Sequence, residues 1–133
     1  MTGEKNPTAQ LAKLGILPGA HWRVDSAPAN WRFEVAPDVA SEAAPTAPAD
    51  VVIAFVTAAE EVTPALERLE QVIFPAGALW IAWPRKAAGH VSDVTDNVVR
   101  EAALARSLVD TKVAAIDTDW SGLKLVWRVS ARF

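Results

Sequence analysis

The chain of 133 residues contains no cysteine. That removes disulfides, thiolate nucleophiles and cysteine-ligated zinc together. It has no tyrosine, one methionine, six glycines and only two histidines, His21 and His90. With so few histidines, a metal site would need carboxylates at ligand spacing, and none are so spaced; no metal is expected. There is no glycine-rich phosphate loop and no Ser/His/Asp nucleophile pattern, which points away from catalysis without deciding the matter. Charge of one sign is also missing. Lys plus Arg is 13 and Asp plus Glu is 16, a net of −3, so no basic stripe invites nucleic acid. The longest uncharged run, residues 71–84, is too short for a membrane span and holds Pro75 and Gly77. The polar start, residues 1–7, lacks an apolar leader segment. No nucleic-acid or membrane partner is therefore expected, and a cytoplasmic location is the default.

What is present is a core. Hydrophobic types make up 51% and charged types 22%, ample for one domain, 1–133, that needs no covalent staple. The charge is mildly uneven. Residues 1–70 carry 5 basic and 10 acidic side chains, residues 71–133 carry 8 and 6; scattered solvated surface accounts for this. No internal repeat is evident.

Residues 8–17 place Leu11, Leu14 and Ile16 near one side of a short helix ended by Gly15. His21-Trp22-Arg23-Val24 reads as a strand running into Asp25-Ser26-Ala27-Pro28. Residues 30–35 fit either one helical turn or an extended piece. Residues 36–49 hold six Ala and three Pro, a surface excursion with at most a ragged edge strand. From Asp50 the pattern is regular. Val51-Val52-Ile53-Ala54-Phe55-Val56 is an apolar run of strand length, covered on both faces. Val62, Leu66, Leu69 and Ile73 lie on one helical face, and Pro64 puts the helix start near residue 61. Residues 78–83 form a second buried strand closed by Pro84. Thr95 caps a helix through Val98, Val99, Ala102, Ala103 and Leu108. Residues 112–117 predict a third strand, 119–122 a turn, and residues 123–129 an alternating strand with Leu123, Leu125, Trp127 and Val129 on one face.

Helices between strands make the central strands parallel, and a tight turn makes the last two antiparallel. The expected fold is α/β: a small Rossmann-like, mostly parallel sheet flanked by helices and ending in an antiparallel hairpin. That arrangement resembles the back half of a methyltransferase-like sheet.

A closer resemblance rests on particular residues. Lys13-Leu14-Gly15-Ile16 with Pro18-Gly19, Ala27-Pro28, Leu79-Trp80-Ile81-Ala82-Trp83-Pro84-Arg85-Lys86, and Trp120-Ser121-Gly122-Leu123-Lys124-Leu125-Val126 together resemble a bacterial family of unknown function, number 3052 of the domain-of-unknown-function series. The likeness covers nearly the whole chain and is strongest from Asp50 onward. It implies a small, stand-alone cytoplasmic α/β domain and brings no activity or catalytic residue with it. The Ala/Pro-rich stretch 36–49 departs from it, which leaves the second strand open.

Ligands in open α/β sheets sit beyond the carboxyl ends of the parallel strands. Residues 25–30, 57–61, 84–90 and 117–120 should converge there. A methyltransferase or dinucleotide site wants glycine in the first turn, where this chain has Asp25-Ser26-Ala27-Pro28-Ala29-Asn30. No cofactor is therefore expected. The candidate ligand-binding residues are Asp25, Ser26, Trp83, Arg85, Lys86, His90 and Thr95. Arg85, Lys86 and His90, with the helix capped by Thr95, have the chemistry of an anion site, although loop charges ordinarily serve only solubility. Asp25 could orient a hydroxyl or act as a base if burial raised its pKa; an Asp at a strand end more often caps a turn. Asp117 and Asp119 are better explained by turn formation than by acid/base pairing. Of six tryptophans, Trp80 and Trp127 belong to the core, Trp83 and Trp120 could line a pocket, and Trp22 and Trp31 are unassigned.

The leading expectation is a non-catalytic binding or interaction domain without an S-adenosylmethionine site. The alternative is a transferase or hydrolase acting on a small anionic substrate held by Arg85-Lys86. The third reading is a subunit that docks through the 36–49 loop or an exposed tryptophan face, a homo-oligomer being one version of it.

Overall fold

The computed structural model describes residues 9–38 and 40–133. The polar start at residues 1–7 and the expected first helical residue, Thr8, lie outside the described residues.

Six strands form one sheet in the order β2-β1-β3-β4-β6-β5. They are β1 (His21–Asp25), β2 (Ser41–Glu42), β3 (Val51–Phe55), β4 (Ala78–Pro84), β5 (Leu108–Ala115) and β6 (Trp120–Trp127). The pairs β2–β1, β1–β3 and β3–β4 are parallel, while β6 runs antiparallel to both β4 and β5. The fold is thus α/β, with a parallel core closed by an antiparallel hairpin. The order reverses between β1 and β3, which makes the crevice above their carboxyl ends the switch point of the sheet.

Continuous apolar runs form the central strands because both faces are covered. On one face Val52, Ala54, Leu79, Ile81, Leu123 and Leu125 pack under α2 (Val62–Leu69) and α3 (Asp96–Leu104). On the other, Val51, Ile53, Phe55, Trp80 and Ala82 meet α1 (Ala9–Leu14) and the segment from Ala27 to Phe33. Trp80, fully buried, donates its indole N–H to Leu14 O at 3.0 Å. Buried Gln10 donates to Ile116 O at 2.9 Å and accepts from Glu34 N at 2.8 Å. A six-residue helix has little stability of its own; these bonds pin α1 to the sheet. Among the described residues no helix is long and apolar enough to cross a membrane.

Four boundaries differ from the sequence reading. The helix after β3 stops at Leu69, and residues 70–76 continue as turns that still bury Ile73. The helix capped by Thr95 ends at Leu104, so Leu108 opens β5 instead of closing a helix; it is buried opposite Trp127. The hairpin turn lies at residues 116–119, and Trp120-Ser121-Gly122 belongs to β6. There Asp117 Oδ1 accepts from the N–H groups of Asp119 and Trp120 at 2.9 and 3.0 Å, closing the turn early. Gly122 is needed for a reason other than turning: a Cβ there would stand 2.6 Å from Ile116 Cδ1 and 3.0 Å from Trp80 Cε3. Val129, expected on the buried face, falls beyond the strand and is 65% exposed. Residues 30–35 carry no regular structure. The proline-rich excursion yields only the two-residue edge strand β2.

Candidate functional site

The four segments expected at the carboxyl edge do meet. Pro28, Thr57, Pro84, His90, Asp117 and Trp120 share one cleft of about 620 Å³. It adjoins a second cleft of about 450 Å³ bounded by Ser26, Phe55, Glu61, Pro64 and Arg68; Pro28, Thr57 and Trp120 belong to both. Together they make one open crevice over the switch point.

Its walls are aromatic because the segment after β1 lays its rings across the sheet edge. Trp22, Phe33, Trp31, Phe55 and Trp120 form a row with successive ring centroids 5.2, 4.9, 5.0 and 4.9 Å apart. Most of these contacts are edge-to-face, the arrangement that ring quadrupoles favour. Trp31 is further fixed by donating its indole N–H to Asp117 Oδ2 at 2.9 Å.

The turn after β1 is held by charge. Ser26 takes a left-handed conformation, φ 59°. Its hydroxyl donates to Asp25 Oδ1 at 2.8 Å, while Arg68 from α2 donates to the two carboxylate oxygens at 2.6 and 3.3 Å. Burial pushes the Asp25 carboxyl up, but the bonds from Arg68 and Ser26 and the charges of Arg68 and Arg23 outweigh it and hold it below its ordinary value. Asp25 is therefore an ionised clasp rather than a base with a raised pKa.

The carboxyl end of β3 is closed in the same manner. Glu61 Oε1 accepts from the backbone N–H groups of Thr57 and Ala58 at 2.6 and 3.2 Å, and Asp93 Oδ1 accepts from Ala59 N at 2.7 Å. The two backbone bonds lower the Glu61 pKa, so it stays charged. Ser92 adds a bond to Thr57 O at 2.8 Å.

Of the candidate residues, Trp83, Arg85, Lys86, His90 and Thr95 come together around a further cleft of about 660 Å³, which shares Pro84 and His90 with the crevice. Asp25 and Ser26 do not join them; Ser26 bounds the smaller part of the crevice. His90 Nε2 lies 2.9 Å from Asp119 Oδ1, and Arg85 donates from its backbone to Asp119 O at 2.8 Å and from Nη1 to Thr118 O at 3.3 Å. Thr95 Oγ1 accepts from Val98 N at 3.2 Å, the helix cap expected of it. Lys86 is exposed and Trp83 is buried at 7% exposure. Asp96 also borders this cleft, paired with Arg100 at 3.5 Å. Among the described residues no three His, Asp or Glu side chains gather as around a metal ion.

The sequence reading placed residues 57–61 at this edge but gave Glu61 no part in closing it, and it assigned no site role to Asp93, Trp31 or Phe55. For Glu61 a signal existed, since an acidic residue three positions after a helix-opening residue is the capping-box spacing. Asp93 acts across 34 positions, and nothing local marks it.

No protein-family model matches the chain, and no curated protein matches it. Among solved structures it is similar to the antibiotic-resistance methyltransferase Kmr, at 14% identity over 92% of this chain and 93% of that one, with a TM-score of 0.43.

Proposed function

We propose that this chain is a non-catalytic binding domain on a methyltransferase-like sheet, taking a small ligand into the crevice at its carboxyl edge and not using S-adenosylmethionine. The observation that carries the reading is the turn after β1. A nucleotide cofactor requires that turn to bring bare backbone N–H groups close, which is glycine's role. Here Asp25 is tied to Arg68, Ser26 occupies the left-handed position, and Pro28, which has no N–H, stands on the crevice wall. The room left above it supports binding over a purely structural part.

Titration calorimetry with S-adenosylmethionine tests this directly. The expected outcome is no heat of binding up to ligand concentrations of about 1 mM, that is, a binding free energy weaker than about −4 kcal/mol. Submicromolar affinity would overturn the reading.

A second reading has its own observation. The gathering of Arg85, Lys86 and His90 around the 660 Å³ cleft supports a transferase or hydrolase for a small anionic substrate, since guanidinium and ammonium groups pair with phosphate or carboxylate. On this reading phosphate or sulfate raises the melting temperature, and Arg85→Ala with Lys86→Ala abolishes the rise. A melting temperature indifferent to both anions sinks it.

A further inference from the structure

We infer that the crevice over the switch point selects a small organic cation rather than an anion, an inference that rests on the binding reading above. The first ground is where the backbone donors have gone. At the carboxyl end of β3 the three successive N–H groups of Thr57, Ala58 and Ala59 are taken by Glu61 and Asp93. At the β5–β6 turn the N–H groups of Asp119 and Trp120 are taken by Asp117. These are the groups that would otherwise receive an anion at such an edge. Each is already satisfied by a carboxylate of the chain itself, so an arriving anion meets like charge.

The second ground is the balance of side chains around the crevice. Arg68 is matched by Asp25 at 2.6 Å, and Asp119 Oδ1 shares a hydrogen bond with His90 Nε2 at 2.9 Å. The remainder is Glu60, Glu61 and Asp117 against Arg32. An excess of negative charge is what this surface offers.

The third ground is the wall itself. Trp31, Phe55 and Trp120 are locked edge to face or tilted at 4.9 to 5.0 Å. Trp120 borders both parts of the crevice. An indole face attracts a cation by its quadrupole, most strongly when water is displaced. Carboxylates beside a rigid aromatic wall suit a quaternary or protonated amine with some apolar body, and the volume suits a small molecule.

The test is an NMR titration of the ¹⁵N-labelled chain with three probes of similar size: phenyltrimethylammonium, benzenesulfonate and benzyl alcohol. The expected result is saturable shifts of the Trp31 and Trp120 indole N–H signals with the cation, at an affinity at least tenfold above the sulfonate's. Glu60→Gln, at an exposed position, is expected to weaken the cation about fivefold while leaving the apo spectrum otherwise unchanged. Equal or tighter binding of the sulfonate at these indoles, or an unchanged cation affinity in Glu60→Gln, overturns the inference and leaves the binding reading standing. Indole signals unmoved by all three probes overturn both.

Discussion

Replacing Arg68 by methionine tests how the turn after β1 is held. The guanidinium reaches Asp25 through Nη2 at 2.6 Å and Nε at 3.3 Å, a two-pronged contact. The Asp25 side chain is 19% exposed and that of Arg68 47% exposed. A charge-assisted hydrogen bond is worth about 1.5–3 kcal/mol when well shielded. With Arg68 nearly half in water, screening reduces the expected loss to about 1 kcal/mol. Methionine retains an apolar stem in place of the arginine methylenes, so packing is largely kept. For a domain of this size, 1 kcal/mol is a fall of about 4 °C in melting temperature. The pH dependence separates charge from packing. Asp25 has a native pKa below its ordinary value of 3.8. Its stabilising effect is therefore complete above that value and disappears as pH falls through the lower native one. Thermal unfolding followed by tryptophan fluorescence, at neutral pH and stepwise down through the carboxylate range, should show the gap between the two proteins closing below about pH 4. In an Asp25→Asn background the Arg68→Met loss should likewise shrink. A gap that stays constant with pH, or losses that simply add, would refute the clasp and assign the effect to packing.

Two further outcomes follow from single contacts. Gly77→Ala would put a Cβ 2.8 Å from Ala49 O, 2.9 Å from Ile73 O and 3.0 Å from Asp50 O; all three are backbone, so the chain must move, and denaturant unfolding should show a loss of about 2–3 kcal/mol. Thr95→Ala removes the acceptor for Val98 N and should lower the urea midpoint by the equivalent of about 1 kcal/mol with the m-value unchanged.

The central strands were legible because they are buried on both faces, and such strands read as unbroken apolar runs. Val51–Phe55 and Ala78–Pro84 are those runs. Thr95 was legible as a cap because its bond reaches only three residues along the chain. The end of the last helix was not legible. No proline or glycine stands between Thr95 and Leu108 to stop a helix, and only its place opposite Trp127 makes Leu108 a strand residue. Gly122 misled for a similar reason: a glycine after Trp-Ser looks like a turn, whereas its small size serves Ile116 and Trp80. At the candidate site, Arg85, Lys86, His90 and Thr95 were brought to one cleft because they flank a single strand end. The aromatic row and the part played by Asp93 were not foreseeable, since Trp31 meets Phe55, and Asp93 meets Ala59, across long stretches of chain.

Periodicity and proline placement are properties of neighbouring residues, so the chain alone determined a parallel α/β core, its hairpin and a first turn without glycine. Which side chains occupy the edge of that sheet is a matter of distant residues converging in space. That Asp93 fills a β3 donor, that Arg68 clasps Asp25, and that three rings wall an open crevice were decided only when the sheet assembled and brought those residues within a few ångströms of one another.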